Sequence, residues 1–381
     1  MRAPRGHRAT TGLTAVRVLV APDKFAGTLG APEAARAIAR GWARAAPHDE
    51  VVRLPMADGG PGFVDALHDA LGGRLHVVTV TGSTGVDVPV TLLVVDDVAY
   101  LESAQACGLQ LGPPAARSAS TWGVGQAIGA AVELGVASVV VGLGGSATND
   151  GGAGLLGALG AVADRPLDAG PDGLRGVTRV DLAPARAVLG RVRLVAASDV
   201  DVPLLGMFGA TKTFGPQKGL SETDVIEVDG LLDRFVEAAC GSTPAERRVA
   251  DSPGAGAAGG LGLALLLLGA ERRPGVAVVA DAVGLDAACA AADLVVSGEG
   301  AYDHTSRSGK VVHGVAQVAG RHARPCVAIA GQVTVGAREM RAMGVESAYA
   351  MVDVVGEERA FADPAGALSD VAERVARTWS R

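Results

Sequence analysis

The stretch VVVGLGGSATNDGGAG, residues 139–154, largely decides how this chain folds. Its three valines predict a buried strand, the glycines predict a tight turn, and the small and apolar residues that follow predict a helix. A glycine-rich turn before a helix lets backbone amides approach an anion at the positive end of the helix dipole. The turn also carries side-chain oxygens on Ser146, Thr148, Asn149 and Asp150. The alternative is a turn that only packs strand against helix, with Thr148 or Asn149 as the N-cap.

Strands and helices alternate in the same way along the rest of the chain. Short apolar strands such as VRVLVA (16–21), ASVVVG (137–142) and DLVVSG (293–298) are typical of a parallel sheet that is buried on both faces. The alternation predicts an α/β fold built on a doubly wound parallel sheet of the Rossmann or flavodoxin type.

The length of 381 residues suggests about two domains. Simple strand–helix alternation lies at both ends of the chain, whereas the middle carries more turns and irregular strands, and no Ser/Pro-rich linker separates them. We therefore expect a discontinuous doubly wound domain formed by residues 16–68 and 290–381. A second α/β domain, residues 69–289, would be inserted into it. Residues 1–15 are expected to be a disordered extension.

Composition excludes several classes of function. A net charge of -7 argues against a nucleic-acid binder and against a protein held to membranes by basic residues. The longest apolar stretch, residues 261–269, is less than half of the ~20 residues that span a bilayer. The four cysteines are far apart in the sequence, which indicates reduced thiols in a cytoplasmic protein rather than a zinc site.

The first glycine cluster matches only one of two known phosphate-binding motifs. The P-loop pattern GxxxxGK[ST] does not occur in the sequence. Gly142, Gly144 and Ala147 match the dinucleotide fingerprint GxGxxA, and Asp164 follows at about the distance of the ribose-binding acid. An NAD-dependent dehydrogenase is therefore an alternative, although the polar run SATND lies where that fingerprint needs a helix that packs on the sheet.

A second glycine cluster, PGAGAAGGLG at residues 253–262, also precedes an apolar helix. Two glycine-rich helix starts suit a ligand with several phosphates, and the alternative is close packing of small residues. Acidic residues follow several strands, and the carboxyl ends of strands are where α/β sheets bind ligands. Such carboxylates can hold Mg²⁺ or accept a proton, and nearby lysines can neutralise a phosphate or carboxylate. The residues concerned are Asp23, Asp58, Asp199, Asp201, Glu299 and Asp303, with Lys24, Lys218 and Lys310.

Taken together, these loops resemble those of one family, the class I glycerate kinases. The resemblance covers residues 16 to about 355, and its stretches occur in the family's order. They are APDKFAGTL (21–29), PMADGG (55–60), TWGVG (121–125), VGLGGSATNDGGAG (141–154), SDVDVPLLG (198–206), FGPQKG (214–219), PGAGAAGGLG (253–262) and SGEGAYD (297–303). The resemblance implies a two-domain α/β kinase that phosphorylates D-glycerate with ATP and Mg²⁺. The product implied is usually 2-phosphoglycerate, with 3-phosphoglycerate made by some members.

On this basis we assign roles as hypotheses. Base or charge-stabilising roles fall to Asp199, Asp58, Lys218 and Lys310, and Mg²⁺ ligation to Asp201, Glu299 and Asp303. Substrate or phosphate binding is assigned to Asp23, Lys24, Gly144, Gly145, Ser146, Asn149, Asp150, Gly256, Gly259 and Gly260.

The chain departs from the family pattern at Ala26, Pro61, Ala301 and Thr305. These departures leave open a ligand-binding protein with weakened catalysis on the same fold. The sequence does not decide whether the product is the 2-phosphate or the 3-phosphate, or which aspartate is the base. A homodimer is left open as the assembly.

Overall fold

The computed structural model describes residues 15–25, 27–304 and 310–380. Within them, the chain forms thirteen strands and eighteen α-helices. The strands are β1 (Arg17–Val20), β2 (Glu50–Arg53), β3 (Arg74–Thr81), β4 (Asp87–Val95), β5 (Val98–Glu102), β6 (Ser138–Gly142), β7 (Val162–Ala163), β8 (Val180–Asp181), β9 (Arg193–Ala197), β10 (Glu271–Arg273), β11 (Leu294–Tyr302), β12 (Cys326–Val333) and β13 (Ser347–Ala350).

The α-helices range from 4 to 19 residues in length. They are α1 (Ala31–Ala45), α2 (Phe63–Leu71), α3 (Ser103–Cys107), α4 (Trp122–Glu133), α5 (Ala153–Ala158), α6 (Gly170–Gly173), α7 (Ala183–Leu189), α8 (Ala210–Phe214), α9 (Glu222–Cys240), α10 (Pro244–Arg247), α11 (Leu261–Leu267), α12 (Gly275–Val283), α13 (Leu285–Ala291), α14 (Val311–Arg321), α15 (Ala337–Ala342), α16 (Met351–Val355), α17 (Glu357–Ala362) and α18 (Pro364–Trp379). No helix of the described ranges combines the length and the apolar character needed to cross a bilayer.

The first sheet has five strands, all parallel, in the order β2-β1-β11-β12-β13. Numbered within the sheet, this order is 2-1-3-4-5, the flavodoxin-like arrangement of doubly wound folds. Side chains alternate between its faces. Val18 and Val20 pack with α1 and α18 on one face, whereas Leu19 and Val295 pack with α12 and α14 on the other. The prediction of an α/β fold with a doubly wound parallel sheet is confirmed.

The second sheet has six strands in the order β10-β9-β6-β5-β4-β3. In this sheet β5, β6, β9 and β10 run parallel, whereas β3, β4 and β5 form an antiparallel meander. The short turn between β3 and β4, residues 82–86 with glycines at 82 and 85, allows that antiparallel pairing, because a parallel connection needs a longer crossover. Strands β7 and β8 form a separate antiparallel pair.

The chain passes from the first sheet to the second after β2 and returns before β11. This course agrees with an insertion, but the division into domains at residues 16–68, 69–289 and 290–381 stays a prediction. One hydrophobic core joins residues of both sheets, including Leu19, Val295, Leu93 and Val140, together with Val279 of α12. Most of the predicted disordered extension, residues 1–14, lies outside the described residues.

Candidate active site

The carboxyl ends of β1 and β11 lie side by side at the point where the strand order of the first sheet reverses. Ligands of doubly wound folds bind outside the strand ends at this switch point. The chain leaves β1 into the loop with Asp23 and Lys24, and Glu299 lies in the C-terminal half of β11. These residues line a cavity of about 400 Å³, which Asp58 and Lys310 also line.

Lys24 and Asp58 form the central ion pair of this cavity. The Nζ atom of Lys24 lies 3.1 Å from Oδ1 of Asp58, and the same oxygen accepts a hydrogen bond of 2.9 Å from the backbone N–H of Gly60. Burial alone would raise the pKa of Asp58, but the Lys24 ammonium and the Gly60 amide more than offset it, so that pKa is lowered. Asp58 is therefore a carboxylate at neutral pH.

Asp23 lies beside this pair and titrates differently. Its Oδ1 accepts a 2.7 Å hydrogen bond from the Lys24 backbone N–H and lies 3.6 Å from Lys24 Nζ. Burial raises the pKa of Asp23 to about 7, with Lys24 acting against the shift and the negative charges of Asp58 and Glu299 adding to it. Around Asp23, the negative charges of the carboxylates are therefore not fully neutralised by Lys24.

The far side of the switch point carries a second cation. Lys310 Nζ lies 3.8 Å from Oε2 of Glu299 and 3.6 Å from Oδ1 of Asp303. Lys310 directly precedes α14. Predicted site residues from both ends of the sequence therefore line one cavity with two lysines and three carboxylates, and Asp303 pairs with one of those lysines.

Asp199 reaches the same region from the second sheet. It follows β9, and its Oδ2 accepts a 3.2 Å hydrogen bond from the Val276 N–H in the first turn of α12. A Cβ added to Gly275 would lie 2.0 Å from the Asp58 carbonyl oxygen and 3.1 Å from Asp199 Oδ2, so the Asp58 backbone and the Asp199 side chain both lie against this glycine. Asp199 itself is beside the cavity rather than among its lining residues. Burial is the main reason that the pKa of Asp199 is raised to about 6, and the Asp58 charge adds to the shift.

The first glycine cluster packs on the loop that carries Asp58. A Cβ on Gly144 would lie 2.7 Å from the Cα of Gly60, and one on Gly145 would lie 3.0 Å from Cγ of Pro61. No side chain fits at Gly144 without moving that loop. The predicted phosphate-binding glycines therefore lie next to the Lys24–Asp58 pair, and their role toward phosphate stays a prediction.

The second glycine cluster lies inside the protein, away from the cavity. Gly256, Gly259 and Gly260 are buried. The Gly256 N–H donates to the Val202 carbonyl and the Gly259 N–H to the Gly256 carbonyl, at 2.9 and 3.2 Å. A Cβ on Gly259 would lie 2.0 Å from the Thr148 carbonyl oxygen. In this structure these glycines let two turns pack together, and the first two amides are not available to a phosphate.

Lys218 is buried beneath the first glycine turn, with only 2% of its surface exposed. Its Nζ donates to the Thr148 carbonyl at 2.7 Å and to Ser146 Oγ at 3.1 Å. Burial lowers the pKa of Lys218 to about 8, with Cys107 and Asp150 acting against the shift. It does not line the cavity, so the structure places it as a support of the turn rather than beside Lys24 and Lys310.

Asn149 and Asp150 are also interior residues, both without exposed surface. One oxygen of Asp150 accepts hydrogen bonds from the Thr121 N–H and hydroxyl at 2.9 and 2.8 Å, and the other accepts from the Gly152 N–H at 3.0 Å. Asn149 Nδ2 donates to Thr211 Oγ1 at 2.9 Å. Both side chains hold the turn in place, and their predicted contact with substrate stays a prediction.

The structure separates Asp201 from the other predicted metal ligands. Its side chain is 75% exposed and lies 2.5 Å from Nη2 of Arg272. Glu299 and Asp303 instead share Lys310. Across the described ranges, no three His, Cys, Asp or Glu side chains are grouped to hold a metal ion.

The cavity nevertheless fits Mg²⁺. This ion usually takes one or two protein carboxylates, with water and substrate phosphates as its other ligands. Asp23 and Glu299 are 7% and 4% exposed, and the charge of Glu299 helps to raise the pKa of Asp23. A divalent cation beside them would relieve that repulsion, so these two carboxylates are suited to Mg²⁺, and ligation by Asp201 and Asp303 stays a prediction.

Glu102 is a buried carboxylate that the sequence analysis missed. It ends β5, and its Oε2 accepts a 2.9 Å hydrogen bond from the Gly62 N–H just before α2. Burial raises the pKa of Glu102 to about 7. Its position at a strand end, like that of Asp199, was the signal that could have identified it. Glu102 holds the segment between Asp58 and α2.

The departures from the family pattern lie in different surroundings. Ala301 lines the cavity, whereas Pro61 packs on Gly145. Ala26 and Thr305 lie outside the described residues.

The dinucleotide fingerprint does not fit the geometry of the turn. In that motif the helix starts within the glycine pattern. Here α5 begins only at Ala153, and Ser146 pairs with Gly108 before it. Asp164 follows β7, which belongs to a separate two-stranded sheet, and accepts hydrogen bonds from the Thr178 N–H and hydroxyl, whereas a ribose-binding acid follows a strand of the parallel sheet.

Several known proteins are similar to this chain over most of its length. An uncharacterised protein of Mycobacterium bovis is 42% identical over 379 residues, covering 96% of this chain and 92% of that protein. The glycerate 2-kinase of Escherichia coli is 36% identical over 351 residues, covering 90% and 92%. A crystal structure of a protein described as a glycerate kinase 2 from Salmonella typhimurium LT2 matches with a TM-score of 0.81 at 36% identity, covering 96% and 98%. The family model of the glycerate kinase family matches residues 18–380. The chain therefore belongs to the glycerate kinase family, and it is a phosphotransferase.

Proposed function

We propose that this protein transfers the γ-phosphoryl group of ATP to the C2 hydroxyl of D-glycerate and forms 2-phosphoglycerate, with Mg²⁺ bound. The observation that carries the proposal is the position of Asp199, from the second sheet, near the Lys24–Asp58 pair: its side chain and the Asp58 backbone lie against the same glycine, and burial, together with the Asp58 charge, raises its pKa. Asp199 offers a proton acceptor. The first sheet offers cations and carboxylates suited to a magnesium–phosphate group. The Escherichia coli relative named glycerate 2-kinase supports the choice of substrate and position.

In the proposed reaction the C2 hydroxyl oxygen forms a bond to the γ-phosphorus, and the bond from that phosphorus to the bridging oxygen of ADP breaks. The hydroxyl proton passes to a carboxylate oxygen of Asp199. A base works best when its pKa lies near the working pH, and the pKa of about 6 suits Asp199 better than the lowered pKa suits Asp58.

The remaining residues of the cavity position charge. Lys24 and Lys310 line it and would face the phosphate oxygens, whose charge such cations stabilise in phosphoryl transfer. Asp23 and Glu299 would hold Mg²⁺, which neutralises charge on the phosphates when bound. Asp58 keeps Lys24 in place through the 3.1 Å ion pair.

The test is a coupled assay of ADP formation with Mg-ATP and D-glycerate, with L-glycerate as the control acceptor. We expect ADP formation that depends on D-glycerate and is abolished by removal of Mg²⁺. Binding of D-glycerate without ADP formation would contradict the proposal and favour the ligand-binding alternative.

A further inference from the structure

The cavity at the switch point is larger than a three-carbon acid requires. Its volume of about 400 Å³ lies within the range of pockets that hold drug-sized ligands, roughly 300–1,000 Å³. Its charged residues lie at the ends of β1 and β11, whereas the wall formed by α16 and α17 is apolar. The cavity therefore has a charged end and an apolar end, which matches a ligand with phosphates at one end and a flat apolar group at the other.

The apolar end contains one exposed aromatic side chain. Phe361 of α17 is 59% exposed, although its neighbour Ala360 is buried. Met351 and Val352 of α16 and Phe25 complete the wall. An exposed phenyl ring at the side of a polar cavity has no packing role in the core, but it offers a face on which a base can stack.

A polar side chain lies beside this wall. Gln332, near the end of β12, is exposed and lines the cavity. Its amide carries both donors and an acceptor, the two kinds of group found on the edge of a nucleobase. Lys24 and Lys310 line the same cavity, so a chain of phosphates could run from the apolar end to the site of transfer.

We propose that the apolar end of the cavity binds the nucleoside of the phosphoryl donor, with its base stacked on Phe361 and beside Gln332. This inference rests on the proposed function for the identity of the donor. It concerns a subsite distinct from the glycine turns to which phosphate binding is assigned above.

Phe361→Ala is the test variant, and Phe208→Ala is the matched control, since Phe208 is 77% exposed in a loop outside this cavity. Phe361→Ala should raise the KM for ATP roughly 10-fold or more, the typical effect of removing one base-stacking side chain. The KM for D-glycerate should not change. Phe361→Trp should restore the KM for ATP, and Phe208→Ala should match the wild type. A wild-type KM for ATP in Phe361→Ala would overturn the proposal.

Equilibrium dialysis with radiolabelled adenosine separates this inference from the proposed function, because adenosine carries no phosphoryl group. We expect wild type and Phe208→Ala to bind adenosine and Phe361→Ala to bind it at least about 10-fold more weakly. Adenosine binding that depends on Phe361 in a protein that does not phosphorylate D-glycerate would support the subsite and contradict the proposed function. Adenosine affinity unchanged by Phe361→Ala would contradict the subsite alone.

Discussion

The Nζ atom of Lys24 lies 3.1 Å from Oδ1 of Asp58, and this ion pair ties the loop after β1 to the loop after β2. The second of these loops packs directly on the first glycine cluster, where a Cβ on Gly144 would meet the Cα of Gly60. One lysine thus connects the switch point of the first sheet with the glycine turn of the second. Its side chain is only 24% exposed, so its charge is weakly screened.

Lys24→Met should impair phosphoryl transfer without preventing folding. The change leaves Asp23 and Asp58 without their common cation and removes a partner for phosphate. A charged hydrogen bond contributes about 1.5–3 kcal/mol, which corresponds to roughly a 10- to 100-fold fall in kcat/KM. Steady-state kinetics would measure the fall. Lys212→Met is the control, since Lys212 pairs with Asp229 outside the cavity, and equal loss in both variants would contradict the role of Lys24.

Asp199→Asn should lower kcat by about 10²- to 10⁴-fold, the usual contribution of a general base, while the fold is retained. The amide keeps an acceptor for the Val276 N–H but cannot take the proton. Asp201→Asn in the same loop is a close control, because its exposed ion pair with Arg272 contributes little to stability. Near wild-type kcat in Asp199→Asn would remove this residue from the proton transfer, and a large loss in Asp201→Asn would restore Asp201 as a ligand.

Activity should fall as the pH is lowered below neutrality. The pKa of Asp199 is raised to about 6 and that of Asp23 to about 7, and the proposed roles need both groups as carboxylates. Protonation on the acid side should therefore reduce kcat/KM, which reports the ionisation of the free enzyme. A pH–rate profile should show an acid limb between about pH 6 and 7. A profile that stays flat down to pH 5 would contradict the roles of both groups.

Glu102→Gln should stabilise the protein at pH 8 and have little effect near pH 4. Glu102 has a pKa of about 7 in the folded chain, against 4.5 for an unburied glutamate, so the folded state retains its proton over that interval. Stability therefore falls as the pH rises from about 4.5 to 7, and the loss is complete above 7. Glutamine carries no charge but keeps an acceptor for the Gly62 N–H, so the gain should be on the order of 2 kcal/mol.

Thermal unfolding at the two pH values would measure this gain. The Glu102 charge also acts on Lys24. A lower unfolding temperature for Glu102→Gln at pH 8 would therefore show that this attraction stabilises the fold by more than the burial of the charge destabilises it.

The α/β alternation was predictable from sequence because apolar strands such as residues 16–21 and 293–298 are buried on both faces. The neighbour relationship of β1 and β11 was not, since they pair across most of the chain. Only the flavodoxin-like order places Asp23 beside Glu299. The sequence could identify both as strand-end acids, but it carried no signal for their pairing.

The direction of individual side chains was the least predictable feature. Lys218 and Asp201 both belong to motif loops, yet one is buried under the glycine turn and the other points toward Arg272 in solvent. A loop position does not specify which side of the loop faces the cavity. The role of the glycines was equally hard to predict, because a missing side chain leaves room either for an anion or for a neighbouring backbone segment. At Gly259 the space is filled by the backbone of Thr148 and Asn149.

The central claim is transfer of a phosphoryl group from ATP to the C2 hydroxyl of D-glycerate, and proton-coupled phosphorus NMR of the product tests it most directly. The account predicts a new phosphomonoester signal split into a doublet by the single C2 proton, growing as ATP is converted to ADP. A triplet from the two C3 protons would contradict the proposed position of transfer. Unchanged ATP at high enzyme concentration, with Mg²⁺ and D-glycerate present, would contradict the kinase activity itself.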